Sequence, residues 1–290
     1  MSVAYGKGFV EVGDRCFVAR YPQWDVNVGL VAGSDGLVVI DTRASVGQGQ
    51  EVLDDVRRLS PDSAVRWVVN THVHFDHTFG NASMADATIH AHENAARAFS
   101  DHAADIRRQI EADPEPDPDQ PEITAVVLDG VLTSPLRPPD VVFSSVRTID
   151  LGDRLIELMH PGPGHTDGDI VARVADADVL FGGDLLEESG PPSFGSDSFP
   201  LDWAASLDLV VGLLTDRTVI VPGHGAPVDR AFVQAQRAEI ADVSNLIRGL
   251  HAQGVGVEQA LAAGGDGWPF APATIEGAVR RGYAQLTAAT

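Results

Sequence analysis

The segment at 66–69, Arg66 followed by the apolar run Trp67-Val68-Val69, leads without a break into Asn70-Thr71-His72-Val73-His74-Phe75-Asp76-His77, and no other feature constrains the chain as much. The apolar run reads as a buried strand. Alternate side chains on an extended segment point the same way, so His72 and His74 share one side and can hold one metal ion. The turn at residues 75–77 offers Asp76 and His77 to a neighbouring position. Imidazole nitrogen with carboxylate oxygen and no thiolate suits zinc, and tolerates iron or manganese. A merely polar surface loop would leave three histidines after a buried strand unexplained.

The same device recurs downstream. A strand at 179–181 delivers Gly182-Gly183-Asp184, where the glycines permit close backbone approach. A strand at 218–221 runs into Pro222-Gly223-His224-Gly225. The rigid turn Pro161-Gly162-Pro163-Gly164-His165-Thr166 presents His165 at its tip. His160 competes with it, but ends a strand and is expected to pack or hydrogen-bond instead. Open α/β sheets place their sites at strand C-termini, so the pattern predicts two βα halves packed sheet to sheet with helices outside. Further strands are expected at 8–12, 15–20, 27–32, 37–40, 154–159 and 170–174, and helices at 44–59, 91–110, 204–214 and 229–252. Residues 112–121 carry four prolines and read as a surface loop. The whole chain, 1–290, is expected to be one domain. Its core lies at about 8–226, with a helical and Pro-rich excursion at about 91–139 and a helical tail at about 229–290.

Charge narrows the partners. Among 290 residues, 42 acidic side chains face 20 basic ones, a net charge of −22. Such a chain repels phosphate backbones and anionic membrane surfaces, so neither nucleic acid nor a membrane is an expected partner. Apolar residues make up 44%, which suits a packed core rather than disorder. The single cysteine, Cys16, excludes an intrachain disulfide and a multi-cysteine zinc site; it reads as a small buried apolar residue. The first ten residues show no signal-peptide pattern, and no apolar run has the ~18 residues of a spanning helix. The expectation is a soluble, cytoplasmic protein, with nothing to fix its oligomeric state.

Asp41, His72-x-His74-x-Asp76-His77, His165, Asp184 and His224 match in order the five signature motifs of the metallo-β-lactamase superfamily, between about residues 37 and 225. The resemblance implies an α/β fold: a four-layer αβ/βα sandwich with a C-terminal helical tail and a dinuclear metal site at one edge. It assigns His72, His74 and His165 to a first metal and Asp76, His77 and His224 to a second, with Asp184 bridging. Asp41, Thr71 and Thr166 are implied as supports behind the ligands. Two zinc ions per chain, with iron or manganese as alternatives, would hold a bridging hydroxide that attacks the carbonyl of a small ester, thioester, lactone or amide. Asp76 is the implied catalytic group that orients this nucleophile.

The aspartate at 184, where true β-lactamases usually carry cysteine or serine, resembles a glyoxalase II-like hydrolase more closely. The chain departs from lactone hydrolases in lacking a tyrosine soon after Asp184, and from glyoxalase II in the spacing of Arg237, Arg248, Arg280 and Arg281. A mononuclear-iron sulfur dioxygenase is the alternative within the same superfamily; β-lactamase activity and a metal-stabilised protein without catalysis rank below it. The loop at 185–201 is expected to line the pocket with Phe194 and Phe199, Trp203 packing behind, although the two phenylalanines would serve equally as core. Glu187, Glu188 and the acidic loop at 111–122 are expected to be solvated. His90, His92, His102 and His251 lie off the pattern and are expected to be structural or exposed. Four metal charges against two carboxylates would favour a small anionic substrate, and residues 91–139 are positioned to act as a lid.

Overall fold

The computed structural model describes residues 4–116, 118 and 120–288, and within them two β-sheets lie face to face with helices on both outer sides. The first sheet takes β1 (Val10–Gly13), β2 (Cys16–Arg20), β3 (Asn27–Gly33), β4 (Gly36–Ile40), β5 (Val65–Val69), β6 (Thr88–His92) and β7 (Val141–Phe143) in chain order. Short turns join β1 to β4, so that part is antiparallel. From β4 to β7 the pairing is parallel, because parallel neighbours need crossovers. These carry α1 (Val46–Leu59), α2 (Phe75–Thr78), α3 (Glu93–Ala112) and α4 (Ala125–Thr133). The second sheet has β8 (Val146–Asp150), β9 (Leu155–Met159), β10 (Val171–Val174), β11 (Val179–Glu187) and β12 (Val219–His224), in the order β12-β11-β10-β9-β8. Only its β11–β12 pair is parallel, and α5 (Trp203–Leu213) makes that crossover.

The period of two along each strand builds the layers. In β4, Val38 and Ile40 face the second sheet and join Val18, Val31 and Val69 against Ile156, Leu158, Ala172 and Phe181. Leu37 and Val39 face outward, against Val52 and Val56 of α1. A strand covered on both faces has no polar side, which is why β4 reads as an unbroken apolar run. On the far side, Val171, Leu180 and Ile220 pack on Trp203 and Leu207 of α5 and on α6 (Arg230–Ala252), with α7 (Val257–Gly264) and α8 (Pro272–Ala288) completing the layer. The result is the four-layer αβ/βα sandwich with helices at the C-terminal end. Side-chain caps start the long helices: Ser45 accepts from the Gln48 N–H and Asp229 from the Phe232 N–H.

Two elements differ from their sequence patterns. Residues 88–92 form β6 rather than leading directly into a helix, so α3 begins at Glu93. Polar His90 and His92 interrupt the apolar run there, yet both are buried. Strand β11 continues past residue 181 to Glu187, with register irregularities near Gly183, so Asp184 sits within a strand. Among the described residues, no helix is long and apolar enough to cross a membrane.

The sheets pack closely where they carry small residues. A Cβ on Gly29 would stand 2.5 Å from the Phe181 ring. Gly29→Val is expected to destabilise the protein by about 1–3 kcal/mol through overpacking, read as a lower urea midpoint at an unchanged slope.

Candidate metal centre

The C-terminal ends of β4, β5, β11 and β12 meet at one edge of the sandwich, and the motif residues meet with them. His72, His74, His165 and Asp184 offer ligand atoms within 4.8 Å of one another, and Asp76, His77 and His224 form a second such group. Asp184 lies between the groups. Its Oδ2 is 3.1 Å from His224 Nε2, 3.3 Å from His165 Nε2 and 3.6 Å from His72 Nε2, while Oδ1 is 3.2 Å from His77 Nε2.

Hydrogen-bond partners assign the tautomers. His77 Nδ1 lies 2.8 Å from Asp41 Oδ2, His224 Nδ1 2.6 Å from the Trp24 carbonyl, His165 Nδ1 3.1 Å from the Ser193 carbonyl, and His74 Nε2 3.0 Å from Asp197 Oδ2. Carbonyls and carboxylates only accept, so these four nitrogens carry protons. His72 Nδ1 lies 3.0 Å from Thr71 Oγ1, whose own proton goes to Asp41 Oδ2 at 2.8 Å, so His72 also donates outward. The inward nitrogens of the neutral rings are then lone pairs, and they face one another: His74 Nδ1 and His165 Nε2 at 2.8 Å, His77 Nε2 and His224 Nε2 at 3.2 Å. His72 Nε2 and Asp184 Oδ1 are buried without any hydrogen-bond partner. Five lone pairs and two carboxylates repel in a buried space unless positive charge lies among them. This donor set fits metal ions, with each ring already oriented through its second nitrogen.

Where protons alone supply that charge, they collect on the second group. Burial pulls the His224 imidazolium down, but Asp184 and Asp76 outweigh it and push its pKa up to about 10. His77 is likewise held well above its ordinary value, against burial, by Asp184, Asp76 and Asp41. Burial and the neighbouring His74 lower His165 to about 4. Burial also opposes ionisation of Asp184, yet the surrounding imidazoles, His224 foremost, hold its carboxyl well below the usual carboxylate range.

The supports are built from distant parts of the chain. Asp41, in the left-handed region at φ 65° just after β4, accepts from the Thr71 N–H and hydroxyl and from His77. Trp24 is also left-handed, at φ 56°, an uncommon conformation for a bulky residue, and it turns its carbonyl to His224. Asn27 Nδ2 donates to the carbonyls of Pro222 and Gly225, tying β3 to the turn that carries His224. Position 223 must be glycine, since a Cβ there would overlap the Asp184 carboxylate. Thr166, next in the chain to His165, binds the buried Asp169 through its N–H and hydroxyl and so fixes the turn beneath His165. Trp24, Asn27, Asp169 and Asp197 carry no motif signal of their own.

Several expectations require correction. Phe194 is buried in the helical core, edge-on to Trp203 at 5.2 Å, and Phe199 lies under the Arg281 guanidinium, so neither lines the site. The aromatic walls are Trp24 and Phe75 instead, in a cavity of about 580 Å³. Glu187 is not solvated: it is buried at the end of β11 and lines that cavity, and burial lifts its carboxyl to about 7. Glu188 is half-buried and accepts from the Ala226 N–H. The cavity is also less cationic than the ligand count implies, because the acidic Glu122 and Glu187 line it and no lysine or arginine does among the described residues. His160 stays outside, donating to the Asp169 carbonyl and stacked on His92 at 3.9 Å. His102 is structural, stacked on His74 and accepting from the Phe75 N–H. The excursion after α3 does reach the cavity, through Gln120 and Glu122.

A sequence profile of the metallo-beta-lactamase superfamily matches residues 21–224. The chain is 25% identical over 208 residues to the metallo-beta-lactamase type 2 of Bacillus cereus, covering 71% of this chain and 69% of that protein. It is 28% identical over 212 residues to the acyl-coenzyme A thioesterase MBLAC2 of Homo sapiens, covering 68% of this chain and 72% of that one. Among solved structures, the sec-alkylsulfatase Pisa1 from Pseudomonas sp. aligns with a TM-score of 0.71 at 19% identity over 88% of this chain, which spans only 45% of that enzyme. A metallo-beta-lactamase from Pontibacter korlensis aligns with a TM-score of 0.59 at 18% identity, covering 80% of this chain and 98% of its own. At such identities the two structures speak for the fold alone.

Because His224 holds a proton up to about pH 10, a metal ion must displace it at neutral pH. Zinc added to metal-free protein is therefore expected to release protons in weakly buffered solution, and its apparent affinity to rise from about pH 6 to about pH 8. Asp197→Ala, which frees His74 to rotate, is expected to weaken zinc binding about 10- to 100-fold in a chelator competition.

Proposed function

The chain belongs to the metallo-beta-lactamase superfamily, and we propose that it is a dinuclear-zinc hydrolase acting on the carbonyl of a small ester, thioester, lactone or amide. The observation that carries this reading is the pair of inward-facing imidazole groups with Asp184 between them. Bound zinc ions would acidify a water towards neutral pH and polarise the substrate carbonyl. His72, His74 and His165 would hold one ion, Asp76, His77 and His224 the other, and Asp184 both. A mononuclear iron dioxygenase needs only a subset of these ligands and leaves the facing His77 and His224 without a purpose.

The chain's own groups supply orientation and proton handling. Asp76 lies against the His77 and His224 rings, its Oδ2 3.6 and 3.5 Å from their Nε2 atoms, and it lines the open cavity. It is placed to accept a proton from an attacking water and keep that water's lone pair towards the carbonyl. No serine or cysteine nucleophile is required. Glu122 on the wall, with the net charge of −22, disfavours a phosphorylated or sulfated leaving group. The reading therefore takes carbonyl chemistry from the thioesterase relative but not its coenzyme A, and favours an uncharged leaving group. An acidic surface also fits a small-molecule substrate better than nucleic acid or a membrane, and a cytoplasmic setting is part of the same reading.

Elemental analysis of protein purified without chelators is expected to give about two zinc per chain. Chelation should abolish ester or thioester hydrolysis and zinc restore it. Asp76→Ala should lower kcat by about 100-fold or more with the fold retained by circular dichroism. About one iron per chain, with no hydrolysis of any acyl substrate, would overturn the reading.

A further inference from the structure

A second cavity, of about 250 Å³, adjoins the metal-site cavity and shares Trp24, Phe75 and Gln120 with it. The two aromatic rings meet edge to face at 5.1 Å. Beyond them four aliphatic side chains line it, Ile106 and Ile110 from α3, Ile123 just before α4 and Leu128 on α4, interspersed with Gln109, Gln120, Asp113 and Glu115. Helix α4 reads AVVLDGVLT, yet only Val131 in it is buried, and Val126 is 81% exposed. So apolar a helix, left so open beside a catalytic cavity, has more apolar surface than the fold itself covers.

We propose that this groove seats the apolar acyl chain of the substrate, so that the protein hydrolyses medium-chain acyl esters or thioesters. The inference rests on the hydrolase reading and adds the identity of the acyl group. From a carbonyl held over Asp184 and Asp76, the walls formed by Trp24 and Phe75 lead on to these aliphatic side chains. Asp113 and Glu115 also line the groove and repel a chain ending in a carboxylate, so the chain is a simple alkyl one. The groove's occupant is continuous with the reacting carbonyl and has the chemistry of its walls.

The test measures kcat/KM of the zinc-loaded protein on straight-chain 4-nitrophenyl esters from acetate to decanoate. Calorimetry of the metal-free protein with neutral methyl ketones, from 2-butanone to 2-undecanone, gives a second readout that needs no turnover. Both are expected to strengthen about fourfold per added methylene until the groove is full. Ile110→Trp and Leu128→Trp, both at half-buried positions, fill the groove; each should move the ester optimum to shorter chains and weaken 2-undecanone binding about tenfold. Hydrolysis with no chain-length dependence, and equal affinity for short and long ketones, would overturn the groove and leave the hydrolase reading standing. Length-dependent ketone binding that the two variants remove, with no ester, thioester, lactone or amide cleaved, would uphold the groove and overturn the hydrolase reading.

Discussion

Five imidazoles crowd around the Asp184 carboxylate, each with its outer nitrogen already committed to an oxygen. Their inward lone pairs have nowhere else to turn, because Asp41, Trp24, Ser193, Asp197 and Thr71 fix every ring from behind. A buried cluster of this kind costs free energy as it stands and becomes favourable once cations enter it. The rest of the molecule serves to hold the rings in this arrangement. Two sheets, each with apolar residues on both faces, supply enough packing for one edge to remain unfavourable.

That edge is electrostatically divided. Deep in the site the ligands are arranged to attract and hold positive charge. Glu122 and the buried Glu187 line the same space, with Asp25 neutralised by a bidentate Arg20. Bound metal charge and wall charge would act in opposite directions on an approaching anion. Beyond the aromatic pair Trp24 and Phe75 stand the aliphatic Ile106, Ile110, Ile123 and Leu128, among polar and acidic neighbours. The His/Asp cluster, acidic wall residues and apolar side chains therefore lie close together.

Fold and site were legible in the sequence to different depths. Strand β4 could be read because burial on both faces leaves an unbroken apolar run, and α1 because one apolar face repeats at helical spacing. Strand β6 could not, since Thr88-Ile89-His90-Ala91-His92 mixes polar and apolar residues that the fold buries alike. Phe194 and Phe199 looked like pocket walls because their loop follows Asp184 directly. The loop instead folds back on the C-terminal helices, where Phe194 finds Trp203 and Phe199 finds Arg281. Glu187 looked solvated because nothing in its neighbours signals that β11 continues to it.

The sequence by itself determined which residues make up the candidate metal-binding cluster, because ligand chemistry needs particular residue types and those were placed by short-range rules: alternation after a strand, and glycine turns at strand ends. Only the tertiary structure decided which groups stand behind and around them. His74 meets Asp197 across 123 residues, and His224 meets the Trp24 carbonyl across 200. No local pattern encodes a contact of that span. It exists only once the two sheets have closed on each other, and that closure also brings Trp24, Phe75, Glu122 and Glu187 to the walls of one cavity.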